Sequence, residues 1–153
     1  NLAVAIEESK AQIDVDDLPT VQGDPTQLEQ LFQNLLANAI KFSRVDLQGN
    51  PVIPHVQISA CLMALDELPA AIRPGRQARA YYRIDVIDNG VGFEEKYTNR
   101  IFQVFQRLHG TNEFAGTGIG LAICQKVVTN HGGIITATSQ PGQGATFSVY
   151  LPN

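Results

Sequence analysis

Residues 28–42 read LEQLFQNLLANAIKF, and this stretch decides the fold. Leu28, Leu31, Phe32, Leu35, Leu36, Ala39 and Ile40 recur at the i, i+3, i+4, i+7 spacing of one helix face. Beside that apolar stripe runs a second line of Gln27, Gln30, Asn34, Asn38 and Lys41. Residues three and four apart stack on one side of a helix, so carboxamides and an ammonium border the buried face. A plain surface helix carries Glu/Lys pairs there. Amides at an apolar edge point to a ligand, and Lys41 points to an anionic one.

On the N-terminal side the helix has a start signal. Asp24 is the N-cap, Pro25 fits the first helical position, and Gln27 completes a capping box. Residues 1–10 read as a short helix, residues 11–15 as a first strand, and residues 20–22, after Leu18-Pro19, as a second short strand. On the C-terminal side, residues 43–54 form a polar loop that turns at Gly49-Asn50-Pro51. Val56, Ile58, Ala60 and Leu62 then alternate with His55, Gln57, Ser59 and Cys61 as a half-buried strand.

After a connection over residues 66–77, Tyr82, Ile84 and Val86 define the inner face of the next strand, and the same period puts Asp88 on that face. A buried carboxylate is costly without a partner, so Asp88 must have a dedicated hydrogen-bonding role. In DNGVGF (88–93), Gly90 and Gly92 make a tight turn beside the acid that leaves room for a ligand to approach the backbone. Ile101, Phe102 and Phe105 lie on a short amphipathic turn, and HGTNEFA (109–115), which has no periodicity, reads as a mobile loop. GTGIGL (116–121) opens a helix that runs to about Asn130 and ends at Gly132-Gly133. Residues 134–139 and 145–151 are closing strands, the last with Phe147 and Val149 on one face and Thr146, Ser148 and Tyr150 on the other.

Composition sets the frame. At 153 residues the chain is one domain, long enough to bury about 70% of its unfolded surface without a disulfide. A net charge of −4 argues against nucleic acid or an acidic membrane as the main partner. Cys61 and Cys124 lie in apolar surroundings and read as reduced core thiols. No apolar run approaches membrane-spanning length and no leader is visible, so the expected location is cytoplasmic, with anchoring of a longer parent left open. With Asn1 rather than Met as its first residue, the chain is expected to be a piece of something longer.

Each candidate also has a plainer reading. Glycines at a helix start suit phosphate, but they also serve a sharp turn into a core helix. Lys41 alone is a solvated helix end, Asn38 alone a buried amide, and Asp88 alone a cap for the glycine turn. No Lys-Ser/Thr follows the glycines, and they follow a loop rather than a strand, so neither phosphate fingerprint of the common nucleotide folds applies. No Ser-His-Asp arrangement stands out around His55, His109 or His131. Together the amide oxygen of Asn38, which suits magnesium, with Lys41, Asp88 and the glycines describe a site for a purine nucleotide with a phosphate tail.

The order of these pieces resembles the catalytic ATP-binding domain of sensor histidine kinases, within the gyrase, chaperone and kinase ATPase superfamily. NLLANAIKF (34–42) resembles the N box, DNGVGF (88–93) the first glycine box, IFQVFQRL (101–108) the F box, GTGIGLAICQKVV (116–128) the second glycine box and GQGATF (142–147) the third. The resemblance covers nearly the whole chain. It implies a two-layer α/β sandwich of the Bergerat ATP-binding type, with a mixed sheet of about five strands, about three helices on one face and a flexible ATP lid from about 103 to 115.

It also implies roles. Asp88 accepts a hydrogen bond from the adenine amino group; Gly90, Gly92 and Phe93 complete that loop. Asn38 holds magnesium with Asn34 in support, and Lys41 meets the phosphates. Gly116, Thr117, Gly118, Ile119, Gly120 and Leu121 cradle the phosphate tail. Thr146 helps recognise adenine through water, and Ile87, Leu121 and Phe147 supply apolar surroundings. Arg107 reaches phosphate or the partner domain when the lid closes.

ATPases of the superfamily carry a Glu at the position of Asn34, where it activates water. A carboxamide cannot accept a proton at neutral pH, so ATP is expected to be held here without efficient hydrolysis. The implied acceptor is a histidine on a dimerisation domain outside this chain, with residues 1–10 as the end of its helix and 11–153 as the catalytic domain. A response-regulator receiver domain follows as the next partner. The parent is expected to be a homodimer and the fragment a monomer. Two other readings stand beside this one: a serine kinase of the anti-sigma type, and a nucleotide-binding module without activity. The long F box and the entering helix favour the histidine kinase over the first, and the intact glycine boxes and Lys41 argue against the second.

Overall fold

The computed structural model describes residues 2–69, 72, 78–94, 101–102 and 120–153. In chain order the elements are α1 (Leu2–Ser9), β1 (Gln12–Val15), α2 (Pro25–Lys41), β2 (His55–Ala64), β3 (Ala80–Asp88), α3 (Gly120–Asn130), β4 (Ile134–Ser139) and β5 (Ala145–Pro152). The strands form one five-stranded sheet in the order β1-β2-β3-β5-β4. β1 runs parallel to β2, and every other pair is antiparallel, so the sheet is mixed, as expected.

α2 forms where its pattern says it should. Asp24 caps it, its carboxylate accepting from the Thr26 and Gln27 N–H groups at 2.9 and 3.2 Å. The capping box is not completed. The N–H of Asp24 donates instead to His131 Nε2 at 3.0 Å, and the Gln27 Oε1 that should have received it is buried without a partner. With Nε2 accepting, the neutral ring carries its proton on Nδ1, which donates to the Val127 carbonyl at 2.7 Å. One imidazole thus ties the end of α3 to the start of α2. A cap is worth about 1 kcal/mol, whereas each buried leucine of this helix contributes about 2–5 kcal/mol. Leu31 and Leu35 are both buried at 1% exposure or less, so the apolar face, not the cap, holds α2 on the sheet.

That face meets Val56 and Ile58 of β2, Ile84 and Val86 of β3, Phe147 and Val149 of β5, and Val127 and Val128 of α3. α3 lies antiparallel to α2, because Cys124 Sγ donates to the Leu31 carbonyl at 3.6 Å while His131 reaches Asp24. The start of α3 therefore lies toward the C-terminal half of α2.

Two expectations about these elements need correction. Residues 20–22 form no strand: Pro19 lacks a ladder donor, Val21 packs against the core, and the chain is already turning into α2. Cys61 is exposed rather than a core thiol, because it sits on the outer face of β2 opposite Arg83. That outer face also carries a small apolar cluster the alternation did not flag, with Leu68, Tyr81 and Tyr150 buried. Cys124 is the core thiol, and burial pushes it up to about 12. No helix of the described residues is long and apolar enough to cross a membrane.

Candidate functional site

Strand alternation carries Asp88 to the inner face at the end of β3, as the sequence predicts. The Gly90 and Ala145 N–H groups donate to Asp88 Oδ1 at 2.9 and 3.2 Å. No described residue donates to Oδ2. Burial raises the Asp88 pKa above its ordinary value; the two backbone bonds pull the other way and are outweighed. The site thus has a carboxylate with one oxygen committed to the fold and one available as an acceptor.

The loop after Asp88 is held from three sides. The Val91 N–H donates to the Phe42 carbonyl at the end of α2, at 2.9 Å. The Val91 carbonyl accepts from Gly142 N–H at 2.6 Å. The Phe93 N–H donates to Ser139 Oγ at 2.9 Å. The glycines serve this packing. A Cβ on Gly90 would strike the Phe42 carbonyl, and one on Gly92, whose φ is +69°, would strike the Gln140 carbonyl. The close approach at both positions is to the protein's own backbone. Beneath the loop Phe93, Phe147 and Phe102 are buried together, with ring centroids 6.4 Å apart for Phe93–Phe147 and 6.2 Å for the edge-on Phe102–Phe147 pair.

The α2 stripe ends beside this loop. Asn34, Asn38 and Lys41 follow one another at about one turn. Asn34 Nδ2 is buried and has no hydrogen-bond partner. Lys41 is exposed, with Nζ 5.8 Å from the centroid of the Phe42 ring. The Phe42–Val91 bond is what joins the Lys41 end of α2 to the Asp88 loop. Gly120 opens α3, and a Cβ there would meet nothing within 4 Å. Leu121 is half-buried against the core.

Two predicted neighbours of the base do not join Asp88. Ile87 and Thr146 are cross-strand partners, and alternation turns both to the outer face, where Ile87 is 37% exposed. Ala145, one residue earlier, is what reaches Asp88. Arg107, Gly116, Thr117, Gly118 and Ile119 lie outside the described residues, as does the whole of the expected lid, 103–115.

Sequence reasoning missed three residues. Asn89 accepts from the His55 N–H at 2.8 Å and donates to the Ile53 carbonyl at 3.1 Å, pinning the loop to the head of β2. Arg44 Nε donates to the Asn89 carbonyl at 3.0 Å. Ser139 is the only polar side chain in the buried set among the described residues. Its signal was present: Ile135, Ala137 and Ser139 share a face of β4, so a hydroxyl stands at a core position.

A sequence model of the family described as histidine kinase-, DNA gyrase B- and HSP90-like ATPases matches residues 23–153. The chain is similar to cyanobacterial phytochrome A of Nostoc sp. strain PCC 7120, with 43% identity over 152 residues, covering 99% of this chain but 17% of that protein. Among solved structures it is similar to a mycobacterial sensor histidine kinase, MprB, with a TM-score of 0.72, 26% identity, and coverage of 99% of this chain and 90% of that one. It is also similar to full-length ShkA in complex with AMPPNP, with a TM-score of 0.69, 27% identity, and coverage of 99% of this chain and 27% of that one.

Proposed function

The chain belongs to the histidine kinase-, DNA gyrase B- and HSP90-like ATPase family, and from that premise we propose that it is the ATP-binding catalytic domain of a sensor histidine kinase. The observation that carries the reading is Asp88, with one oxygen bonded to the fold and the other left as an acceptor on the inner face. The name and the ligand of the solved relatives support it: one is a sensor histidine kinase, and another holds AMPPNP.

The residues fit magnesium and ATP. Asn34 Nδ2 is a buried donor without a partner, Asn38 offers an amide oxygen of the hard type magnesium prefers, and Gly120 leaves the start of α3 open. When bound, ATP supplies the γ-phosphoryl group and magnesium offsets its charge. Asp88 accepts from the amino group of the base. Lys41 adds positive charge at the end of α2. Asn34, having no basic site, leaves water unactivated, so the domain keeps ATP for a protein acceptor. Of the described histidines, His55 is exposed and paired with Asp14 at 2.6 Å, and His131 uses both nitrogens inside the fold. On this reading the acceptor histidine lies on a dimerisation domain of a longer protein, which forms a homodimer and passes the phosphoryl group to a receiver domain. Residues 1–10 are the junction with that domain, and 11–153 the catalytic unit. The family resemblance also assigns Arg107 and residues 116–119 to the phosphates; these lie outside the described residues.

Calorimetric titration of this chain with ATP, with and without magnesium, tests the reading. Binding is expected to depend on magnesium and to weaken by about 100-fold or more in Asp88→Ala, since a site built to hydrogen-bond its ligand discriminates strongly. Undiminished affinity in the variant removes Asp88 from the site, and a folded wild-type chain that binds no ATP removes the function.

A further inference from the structure

Resting on the nucleotide site just proposed, the geometry points to Ser139 as a positioning residue for base recognition: its hydroxyl orients the Asp88 carboxylate by clamping the loop around it. Ser139 Oγ accepts from the Phe93 N–H at 2.9 Å and donates to the Gly144 carbonyl, and both bonds are buried. The Gly144 carbonyl and the Ala145 N–H belong to one peptide unit, which is planar and rigid. Ser139 holds the oxygen of that unit, and Asp88 Oδ1 accepts from its nitrogen at 3.2 Å. In a trans peptide the two groups point to opposite sides, so the hydroxyl and the carboxylate grip the same plane from either side. The other bond of Ser139 fixes the loop at Phe93, five residues beyond Asp88.

Few side chains can do this. The position needs one small group that both donates and accepts. It has no room to spare: a Cβ on Gly92 would lie 2.8 Å from Ser139 Oγ, and Ser139 itself is 8% exposed. Gly144, with φ at +83°, would place any Cβ against the Asp88 carbonyl, so the plane cannot be re-seated by a different residue there. Without the hydroxyl, the Phe93 N–H and the Gly144 carbonyl lose their buried partners, and the Asp88–Ala145 contact loses its far anchor.

The test compares two nucleotides. ATP and inosine triphosphate share ribose and phosphates, but inosine carries an oxygen where adenine carries the amino group. Wild-type chain, Ser139→Ala and Ser139→Cys are titrated with each. Ser139→Ala is expected to weaken ATP by about tenfold, the cost of misplacing one buried hydrogen bond, while inosine triphosphate changes less, so base discrimination shrinks. Ser139→Cys, nearly isosteric with a weak donor, is expected to fall between the two. A loss that is equal for both nucleotides, or a discrimination ratio equal to wild type, means that Ser139 is structural only and overturns the inference while leaving the site intact. If Ser139→Ala does not fold, the ratio in Ser139→Cys decides by the same criterion. A wild-type chain that binds neither nucleotide overturns the proposed function and this inference with it.

Discussion

The two ends of the candidate site are built in opposite ways. At the Asp88 end, folding pairs every polar group of the loop named above except one acceptor, Asp88 Oδ2: Oδ1 takes two N–H bonds, Asn89 takes and gives one each, and Ser139 bridges Phe93 and Gly144. At the α2 end, folding leaves a polar atom unsatisfied: Asn34 Nδ2 is buried without a partner, whereas the other unpartnered atom, Gln27 Oε1, lies in the first turn of α2, away from the site. Buried polar groups are normally paired, and each exception asks for a reason. On the proposed reading, the carboxylate that would recognise the base is preorganised by the fold, while the α2 end keeps an unpaired amide donor for the ligand to satisfy.

The largest effect expected from breaking this contrast falls on the bonded end. Gly144 has φ +83° and a missing Cβ that would meet the Asp88 carbonyl; Gly142 has φ +78° and nothing within 4 Å. Both would suffer the left-handed penalty on substitution, about 1–2 kcal/mol. Only Gly144→Ala adds overpacking against backbone, for a total loss of about 3 kcal/mol or more. Denaturant unfolding at a constant m-value measures both. Equal losses in the two variants mean that the bonded end is not tight, and the contrast fails there.

Next in size is a change that keeps the bonds and alters only the outward atom. In Asp88→Asn the amide oxygen still accepts from Gly90 and Ala145, but the outer oxygen becomes an NH2 donor. ATP affinity is expected to fall by about 100-fold as a donor meets the amino group of the base. Stability moves the other way. The folded-state pKa of Asp88 is raised by burial, so the contribution of this group is fully present below the unfolded value and is lost as pH rises through the folded one. Asp88→Asn is therefore expected to match or exceed wild-type stability at pH 7, with the advantage vanishing in acid. A variant that is less stable at pH 7 shows that the charge itself serves the fold.

The bonded end was also the less legible one. The period of β3 placed Asp88 correctly, and the spacing of α2 placed its apolar face, because both are local patterns. Ser139, Asn89 and Arg44 act through partners 5 to 46 positions away in sequence, and no local period records such a bond. The capping box failed for the same reason: His131, 107 residues from Asp24, took the N–H that Gln27 was expected to receive. Thr146 was placed beside the base by resemblance, while its own strand alternation, already read correctly for Phe147 and Val149, turns it to the outer face. At the α2 end the candidate residues were legible because their signal is one of residue type. Amides at an apolar border are visible in the sequence without knowing what they touch.

The smallest effect is the one that sharpens the contrast most. If Asn34 is held in reserve for a ligand, it costs the unliganded fold something. Replacing it with leucine removes a buried donor that has no partner and puts apolar surface beside the core of α2. Asn34→Leu is expected to raise the stability of the free chain by about 1 kcal/mol, the low end of the cost of an unsatisfied group. The same substitution is expected to weaken magnesium-dependent ATP binding while leaving the ATP-to-inosine triphosphate preference unchanged, because the base is read at the other end. The two readouts separate the roles. A chain that loses stability shows that Asn34 is part of the framework. A chain that gains stability but keeps its full magnesium dependence shows that the unpaired amide serves no ligand. Gain of stability with loss of magnesium-dependent affinity is the trade expected of a position whose bonding partner arrives only with the nucleotide.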